Sequence, residues 1–386
     1  MYIKWQVILP AQYPTQADGH SEVTLQSRSN NFDFVRLLAA GVVLCGHQFA
    51  VFLRPEPSPF GLITLGTLGV LIFFSISGYL VAQSWDRDPH VLRFAAKRFL
   101  RIWPGLAIVT CVAVFIAGPA VTAWSLRAYF SSSMTWDYLS QFYLNIKYVL
   151  PGVFEHNPVS VVNGSLWTIP IEVRWYGILL VAGILGLLRK KLRVALLLGV
   201  ALYAIYIYGI FDVQHNPRAA FLRPDFGCEY GSYFCYGVLM NGFREEWHRH
   251  RLLLFGLLSV LAVALVALHH GYAAIYVLLP FLVIWFGTSS TLVLRGFGRY
   301  GDFSYGIYIY AFLIQQFLIS LMGINHPYWM ALLASTVCTV GCAVLSWHFV
   351  EAPAMALKRH FGRGDAEQVG VANTHVLRAS LPPGAD

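Results

Sequence analysis

The sequence predicts an all-α polytopic membrane protein with about ten transmembrane helices and both termini in the cytoplasm. Hydrophobic residues make up 57% of the 386 residues, and the mean hydropathy is +0.58. Charged residues make up only 12%, about half of the roughly 25% that is usual in soluble globular proteins. The apolar residues are gathered into runs of about 20, which is the length that a helix needs to cross a bilayer.

Ten such runs follow one another along the chain, separated by turn residues or by clusters of charge. They cover about residues 32–53, 61–83, 102–121, 166–188, 192–211, 225–242, 251–268, 272–290, 303–323 and 327–350. Residues 84–101 are expected to form a cationic loop. We divide the chain into a cytoplasmic N-terminal tail (1–29), a transmembrane domain (30–358) and a flexible cytoplasmic C-terminal tail (359–386).

The positions of the cationic residues orient these spans. With the N-terminus in the cytoplasm, 20 of the 27 Lys and Arg residues fall on the cytoplasmic side and 5 on the opposite side. Cytoplasmic loops of membrane proteins carry such an excess of positive charge, so the asymmetry favours two cytoplasmic termini. The net charge of +8 therefore indicates topology and contact with anionic lipids rather than binding of nucleic acid.

The six cysteines lie in or beside apolar runs, and none belongs to a CxxC motif or has metal-ligand spacing with His. We therefore predict neither a metal site nor a disulfide framework.

Two ionisable side chains lie inside the first span, Arg36 and His47. Eleven residues correspond to three helical turns and about 20°, so the two side chains share one helix face, about 16 Å apart along the axis. Asp33, three residues before Arg36, can pair with it. Ionisable groups in a membrane span are costly and usually functional, and the alternative is a polar contact between helices. His47, in the outer half, can act as a general base or become acylated itself.

A carboxylate in the fourth span is a candidate partner for this histidine. Glu172 is expected in the outer half of the membrane, at a depth where it can orient the imidazole and stabilise its charged form. A local pair with Arg174, or a salt bridge to another span, is the structural alternative.

Three cations precede the third apolar run: Lys97, Arg98 and Arg101. Arg98 and Arg101 are three residues apart on one helix face, and such a pair suits phosphate groups. Ordinary anchoring at the cytoplasmic surface is the alternative. In the second span, Ser75, Ser77 and Gly78 form a patch of small residues that favours close helix packing.

Six segments, in this order, resemble those of the acyltransferase-3 family of integral-membrane O-acyltransferases. They are NNFDFVRLLAAGVVLCGH, with an Arg-x10-His pattern at Arg36 and His47, and GVLIFFSISGYL, RFAAKRFLRIWP, GSLWTIPIEVRWY, GDFSYGIYIYAFLIQQ and SWHFVEAP. The chain departs from many relatives at Leu71, where they carry an acidic residue, and at Ala311, where they carry a His.

The resemblance implies a bacterial enzyme of the cytoplasmic (inner) membrane, surrounded by lipids and without a metal. It implies transfer of an acyl group, usually acetyl, from cytoplasmic acyl-CoA to a hydroxyl of a polysaccharide, a lipid-linked glycan or another acceptor. Arg98 and Arg101, with Lys97 and Arg36 nearby, are then expected at the CoA phosphates, and His47 and Glu172 at the site of transfer.

Two other classes of function remain open at this point. A transporter or flippase for a lipid-linked sugar can use Arg36, His47 and Glu172 as a proton path. A sensor or structural subunit of a membrane assembly is the third alternative.

Overall fold

The computed structural model of the protein describes residues 30–205, 226–291, 294 and 297–358. These residues form helices and turns; in these parts of the chain no strand forms, and an isolated bridge joins Thr122 to Val153. The predicted all-α fold class is confirmed. The predicted tails at 1–29 and 359–386 lie outside the described residues, as do the loop and span ends predicted within 206–225.

The helices follow one another with mostly short connections. In chain order they are α1 (Phe32–Val51), α2 (Leu65–Arg87), α3 (Val91–Val121), α4 (Leu126–Ser131), α5 (Ser133–Asp137), α6 (Thr168–Ile184), α7 (Arg193–Ile205), α8 (Phe226–Gly242), α9 (Arg244–Arg249), α10 (Arg251–Ala267), α11 (Gly271–Thr288), α12 (Ser304–Met322) and α13 (Tyr328–Ala356). Helices α3 and α13 each contain one π-helical turn.

Six of the described helices are long and apolar enough to cross a membrane by length and composition: α1, α2, α3, α11, α12 and α13. Two shorter helices, α7 and α10, are also strongly apolar, and α6 and α8 have 17 residues each. The helices make this a multi-pass membrane protein. The count of ten spans and the sidedness of the termini remain predictions.

The cationic segment before the third apolar run is helical, so the prediction of a loop over 84–101 was wrong. Helix α2 continues to Arg87, and α3 already begins at Val91, eleven residues before the predicted start of the span. The segment consists largely of Ala, Leu, Phe, Lys and Arg, most of which are good helix formers. Arg98 and Arg101 project from α3, which agrees with the shared helix face that their spacing predicts.

Helices α1, α3 and α12 run in the same direction, as the predicted alternation of spans requires. Arg36 near the start of α1 contacts Asp302, which lies two residues before α12. Further along, the Leu44 carbonyl accepts a hydrogen bond from the Gln315 amide at 2.8 Å. Arg101 of α3 reaches the same Asp302. Asp302 thereby joins the starts of α1 and α12 to α3 at the eleventh residue of that helix, although the three helices are distant in sequence.

Helix α2 lies at the centre of the bundle and packs against α1, α8 and α11. Its contact with α8 depends on small residues, because a Cβ atom added at Gly78 would lie 1.9 Å from the Phe234 carbonyl oxygen. The predicted role of Gly78 in close packing is confirmed.

We expect the substitution Gly78→Ala to destabilise the folded protein by about 1–3 kcal/mol, because the added methyl group meets backbone that can yield only by shifting a helix. Thermal unfolding in detergent measures the effect. Gly41→Ala is the matched control: a Cβ atom there meets nothing within 4 Å, and alanine is the better helix former. Equal melting temperatures for the two variants would contradict the packing described here.

Candidate active site

A cavity with about 820 Å³ of empty space, its open side included, lies between α1, α2, α3, α6 and α12. Arg36, Arg98, Arg101 and Glu172 all line it. The structure thus brings together four of the six side chains that the sequence singled out. We refer to it as the cationic cavity.

One carboxylate holds two of the three arginines. Asp302 Oδ2 lies 3.0 Å from Arg36 Nη1 and 2.7 Å from Arg101 Nη2, and Oδ1 accepts hydrogen bonds from the hydroxyl and backbone N–H of Ser304. Burial raises the pKa of Asp302, but the neighbouring Arg101 and Arg36 outweigh it and lower the pKa to about 2. Arg36 also pairs with Asp33 at 3.5 Å, as its spacing predicted.

The third arginine has no such partner. Among the described residues no carboxylate lies within 4.0 Å of Arg98, and its buried Nε makes no hydrogen bond. Its guanidinium lies 5.7 Å from the centre of the Tyr176 ring and 5.9 Å from that of Phe94. A buried donor without a partner calls for an explanation, and a bound anion in the cavity would supply its acceptor.

Glu172 belongs to the cationic cavity rather than to His47. Its Oε1 accepts hydrogen bonds from Ser77 Oγ at 2.9 Å and from the Tyr176 hydroxyl. Within the described residues it forms no salt bridge, with Arg174 or otherwise, and no hydrogen bond to His47. The small residue Ser77, which the sequence assigned to packing, therefore also has a polar role.

His47 is not among the residues that line the cavity. Its Nδ1 lies 3.4 Å from Ser165 Oγ, and its ring packs edge-to-face on Phe312 with centroids 5.2 Å apart. Phe312 is one helical turn beyond Tyr308, which does line the cavity and hydrogen-bonds Thr168 at 2.7 Å. His47 therefore contacts Phe312, which lies one turn of α12 beyond the cavity-lining residue Tyr308.

Lys97 lies apart from the cavity lining. Its Nζ is 2.5 Å from Asp88 Oδ2, and Arg93 makes a further ion pair with the same carboxylate. Hydrogen bonds from Arg93 and Lys97 hold the pKa of Asp88 at about 2. This contact fits the anchoring alternative for Lys97 better than a place at the phosphates.

Sequence reasoning missed Asp302, Tyr176 and Ser165. Asp302 stands directly before an apolar run in GRYGDFSYGIY, and an isolated acid at that position is a usable signal. Nothing local to Ser165 indicates its contact with a residue 118 positions away. No group of three or more His, Cys, Asp or Glu side chains suited to a metal ion occurs in the part of the chain that the structure describes.

Comparisons with known proteins agree with the family resemblance of the six sequence segments. The family model of the acyltransferase domain matches residues 29–348. An O-acetyl transferase of Shigella phage Sf6 is 30% identical over 331 residues, which cover 84% of this chain and 95% of the relative. Nodulation protein 10 of Rhizobium leguminosarum bv. viciae is 29% identical over 375 residues, 88% of this chain and 97% of the relative. No solved structure matches. The chain belongs to the acyltransferase-3 family.

Proposed function

We propose that the protein transfers an acyl group, most simply acetyl, from acyl-CoA to a hydroxyl of a polysaccharide, a lipid-linked glycan or another acceptor. Membership of the acyltransferase-3 family and the likeness to a protein named O-acetyl transferase support acyl transfer to oxygen. The observation that carries the choice of donor is Arg98, a cation in the cavity that has no carboxylate within 4.0 Å among the described residues and whose buried Nε makes no hydrogen bond.

The charges in the cavity suit a donor that carries phosphates. Arg36 and Arg101 already share Asp302, whereas the guanidinium of Arg98 can donate several hydrogen bonds to phosphate oxygens. Because positive charge gathers on the predicted cytoplasmic side, this end of the bundle faces the compartment that we expect to supply acyl-CoA.

Glu172 acts at the donor end in this proposal. Its carboxylate accepts a hydrogen bond from the Tyr176 hydroxyl, and the Tyr176 ring lies under the Arg98 guanidinium. Glu172 therefore fixes the aromatic surface on which Arg98 rests, instead of orienting His47 directly.

His47 acts at the transfer end, about 16 Å from Arg36 along α1. As a general base it takes the proton of the acceptor hydroxyl while the oxygen attacks the thioester carbonyl. The carbon–sulfur bond then breaks, CoA leaves as a thiolate that takes up a proton, and the acceptor becomes an ester. In the second route the imidazole nitrogen attacks the thioester carbonyl first, the carbon–sulfur bond breaks and CoA leaves as a thiolate. The acceptor oxygen then attacks the acyl carbon, the carbon–nitrogen bond breaks to restore the free imidazole, and the proton of the acceptor hydroxyl ends on the CoA thiolate.

We expect His47→Ala to lower transfer by about 100-fold or more, because both routes need the imidazole. The measurement is transfer of labelled acetyl from acetyl-CoA to cell-surface glycans and lipid-linked sugars, with the acylated product found by mass spectrometry. His348→Ala, at an exposed histidine that bonds its own helix, is the matched control and should retain activity. Full activity of the His47 variant would exclude both routes.

A further cation lies near the cavity arginines. Lys358 lies two residues after the end of α13, whose last turns pack on α3. Burial, and then the positive charges of Arg98, Arg101, Lys97 and Arg36, lower the pKa of Lys358 to about 8. The ammonium charge is therefore present below about pH 8 and lost above it, and we propose that it adds to the attraction for donor phosphates.

We expect the affinity of the purified protein for CoA to fall roughly two- to fivefold between about pH 7 and about pH 9, since one cation near the phosphates is lost. CoA phosphates stay ionised over this range. Isothermal titration of CoA measures the change. In Lys358→Met the affinity should be lower at about pH 7 and nearly constant to about pH 9. An unaltered pH dependence in that variant would remove Lys358 from the donor site.

A further inference from the structure

We infer that Ser165 is the positioning residue that holds the His47 imidazole for acyl transfer. The inference rests on the proposed function. It concerns a hydroxyl in the segment before α6, which sequence reasoning did not connect with His47.

Asn163 fixes the segment that carries Ser165 through two hydrogen bonds. Asn163 Nδ2 donates to the Ile309 carbonyl of α12 at 2.8 Å, and Asn163 Oδ1 accepts the Ser165 backbone N–H at 3.1 Å. Asn163 and Ser165 are both fully or almost fully buried. The hydroxyl next to His47 therefore stands on a backbone with little freedom to move.

The ring of His47 is confined from a second direction by Phe312. A Cβ atom added at Gly164 would lie 2.7 Å from the Phe312 ring, so glycine is what allows the segment to approach that ring. Phe312 in turn packs edge-to-face on His47. Asn163 thus anchors the segment, Gly164 leaves room for the Phe312 ring, and Ser165 places its hydroxyl beside the imidazole.

The contact assigns different tasks to the two ring nitrogens. Nδ1 faces Ser165 Oγ at 3.4 Å, which leaves Nε2 to take the proton of the acceptor hydroxyl or to receive the acyl group. A serine hydroxyl both donates and accepts. The Ser165 hydroxyl can therefore accept a hydrogen bond from Nδ1–H while Nε2 is unprotonated. It can keep that hydrogen bond after Nε2 has taken up a proton.

A hydroxyl here takes the place that a carboxylate holds in the Ser-His-Asp arrangement. Within the described residues no carboxylate contacts His47, and Glu172 bonds Ser77 and Tyr176 instead. Ser165 orients the ring without placing a second charge in an apolar surrounding, where an unpaired carboxylate would be costly.

The test compares two alanine variants. Ser165→Ala removes the hydroxyl that faces His47. Ser335→Ala is the matched control, because Ser335 is also buried and also contacts α1 through its hydroxyl, but at Gln48, 3.2 Å away. Each purified variant is measured for kcat, the KM of acetyl-CoA, the pH dependence of kcat and the melting temperature.

For Ser165→Ala we expect kcat to fall roughly 3- to 10-fold, the value of one neutral hydrogen bond, with the KM of acetyl-CoA unchanged because Ser165 does not line the cavity. The pH midpoint of kcat should move, since the partner of the titrating ring is gone. Ser335→Ala should keep the wild-type kcat and pH midpoint. Ser165→Cys, which keeps the volume but bonds weakly, should behave like the alanine variant and serves if that variant does not fold.

Two results would overturn the inference. One is wild-type kcat and pH dependence in Ser165→Ala. The other is an equal fall of kcat and melting temperature in Ser165→Ala and Ser335→Ala, which would reveal a purely structural hydroxyl. Either result leaves the proposed function intact as long as His47→Ala is inactive, whereas an active His47→Ala variant would refute the role of His47 itself.

Discussion

The arrangement of the cationic cavity depends on one carboxylate. Asp302, near the start of α12, forms ion pairs with Arg36 of α1 and Arg101 of α3. It therefore joins three helices that are far apart in sequence. A buried arginine without a counter-ion is costly, and one aspartate offsets much of that cost for two arginines. The third arginine, Arg98, has no carboxylate within 4.0 Å among the described residues, and it is the cation on which the proposed donor site rests.

The candidate site is spread along α1 rather than gathered at one point. Arg36 lines the cavity that we assign to the donor. His47 lies beside Ser165 and Phe312, and Phe312 is one turn of α12 beyond the cavity wall. The long pantetheine arm of CoA suits such a separation, because phosphates and thioester are far apart in one molecule. In the proposed function, α1 keeps the donor anchor at Arg36 and the transfer group at His47 on one helix.

The sequence predicted what is local and missed what is remote. The apolar runs, the Arg36–Asp33 pair and the shared face of Arg98 and Arg101 all follow from spacing along one helix. We predicted a loop over 84–101 because the segment is charged, and the early start of α3 was therefore missed, although the residue types in this segment favour a helix. The contacts of Asp302 with Arg36, 266 positions away, and of Ser165 with His47 come from packing of the whole bundle. The sequence marks Asp302 as an isolated acid, but spacing along the chain does not predict which residues it meets.

The binding of CoA to Arg98→Gln tests the central claim most directly, because no carboxylate loses its partner in this variant and the fold should persist. We expect the dissociation constant to rise roughly 10- to 100-fold, the value of hydrogen bonds between a guanidinium and phosphate. Arg93→Gln, on the same helix but paired with Asp88, should bind CoA like the wild type. Equal affinity in wild type and Arg98→Gln, with both folded, would contradict the assignment of the cationic cavity to the donor.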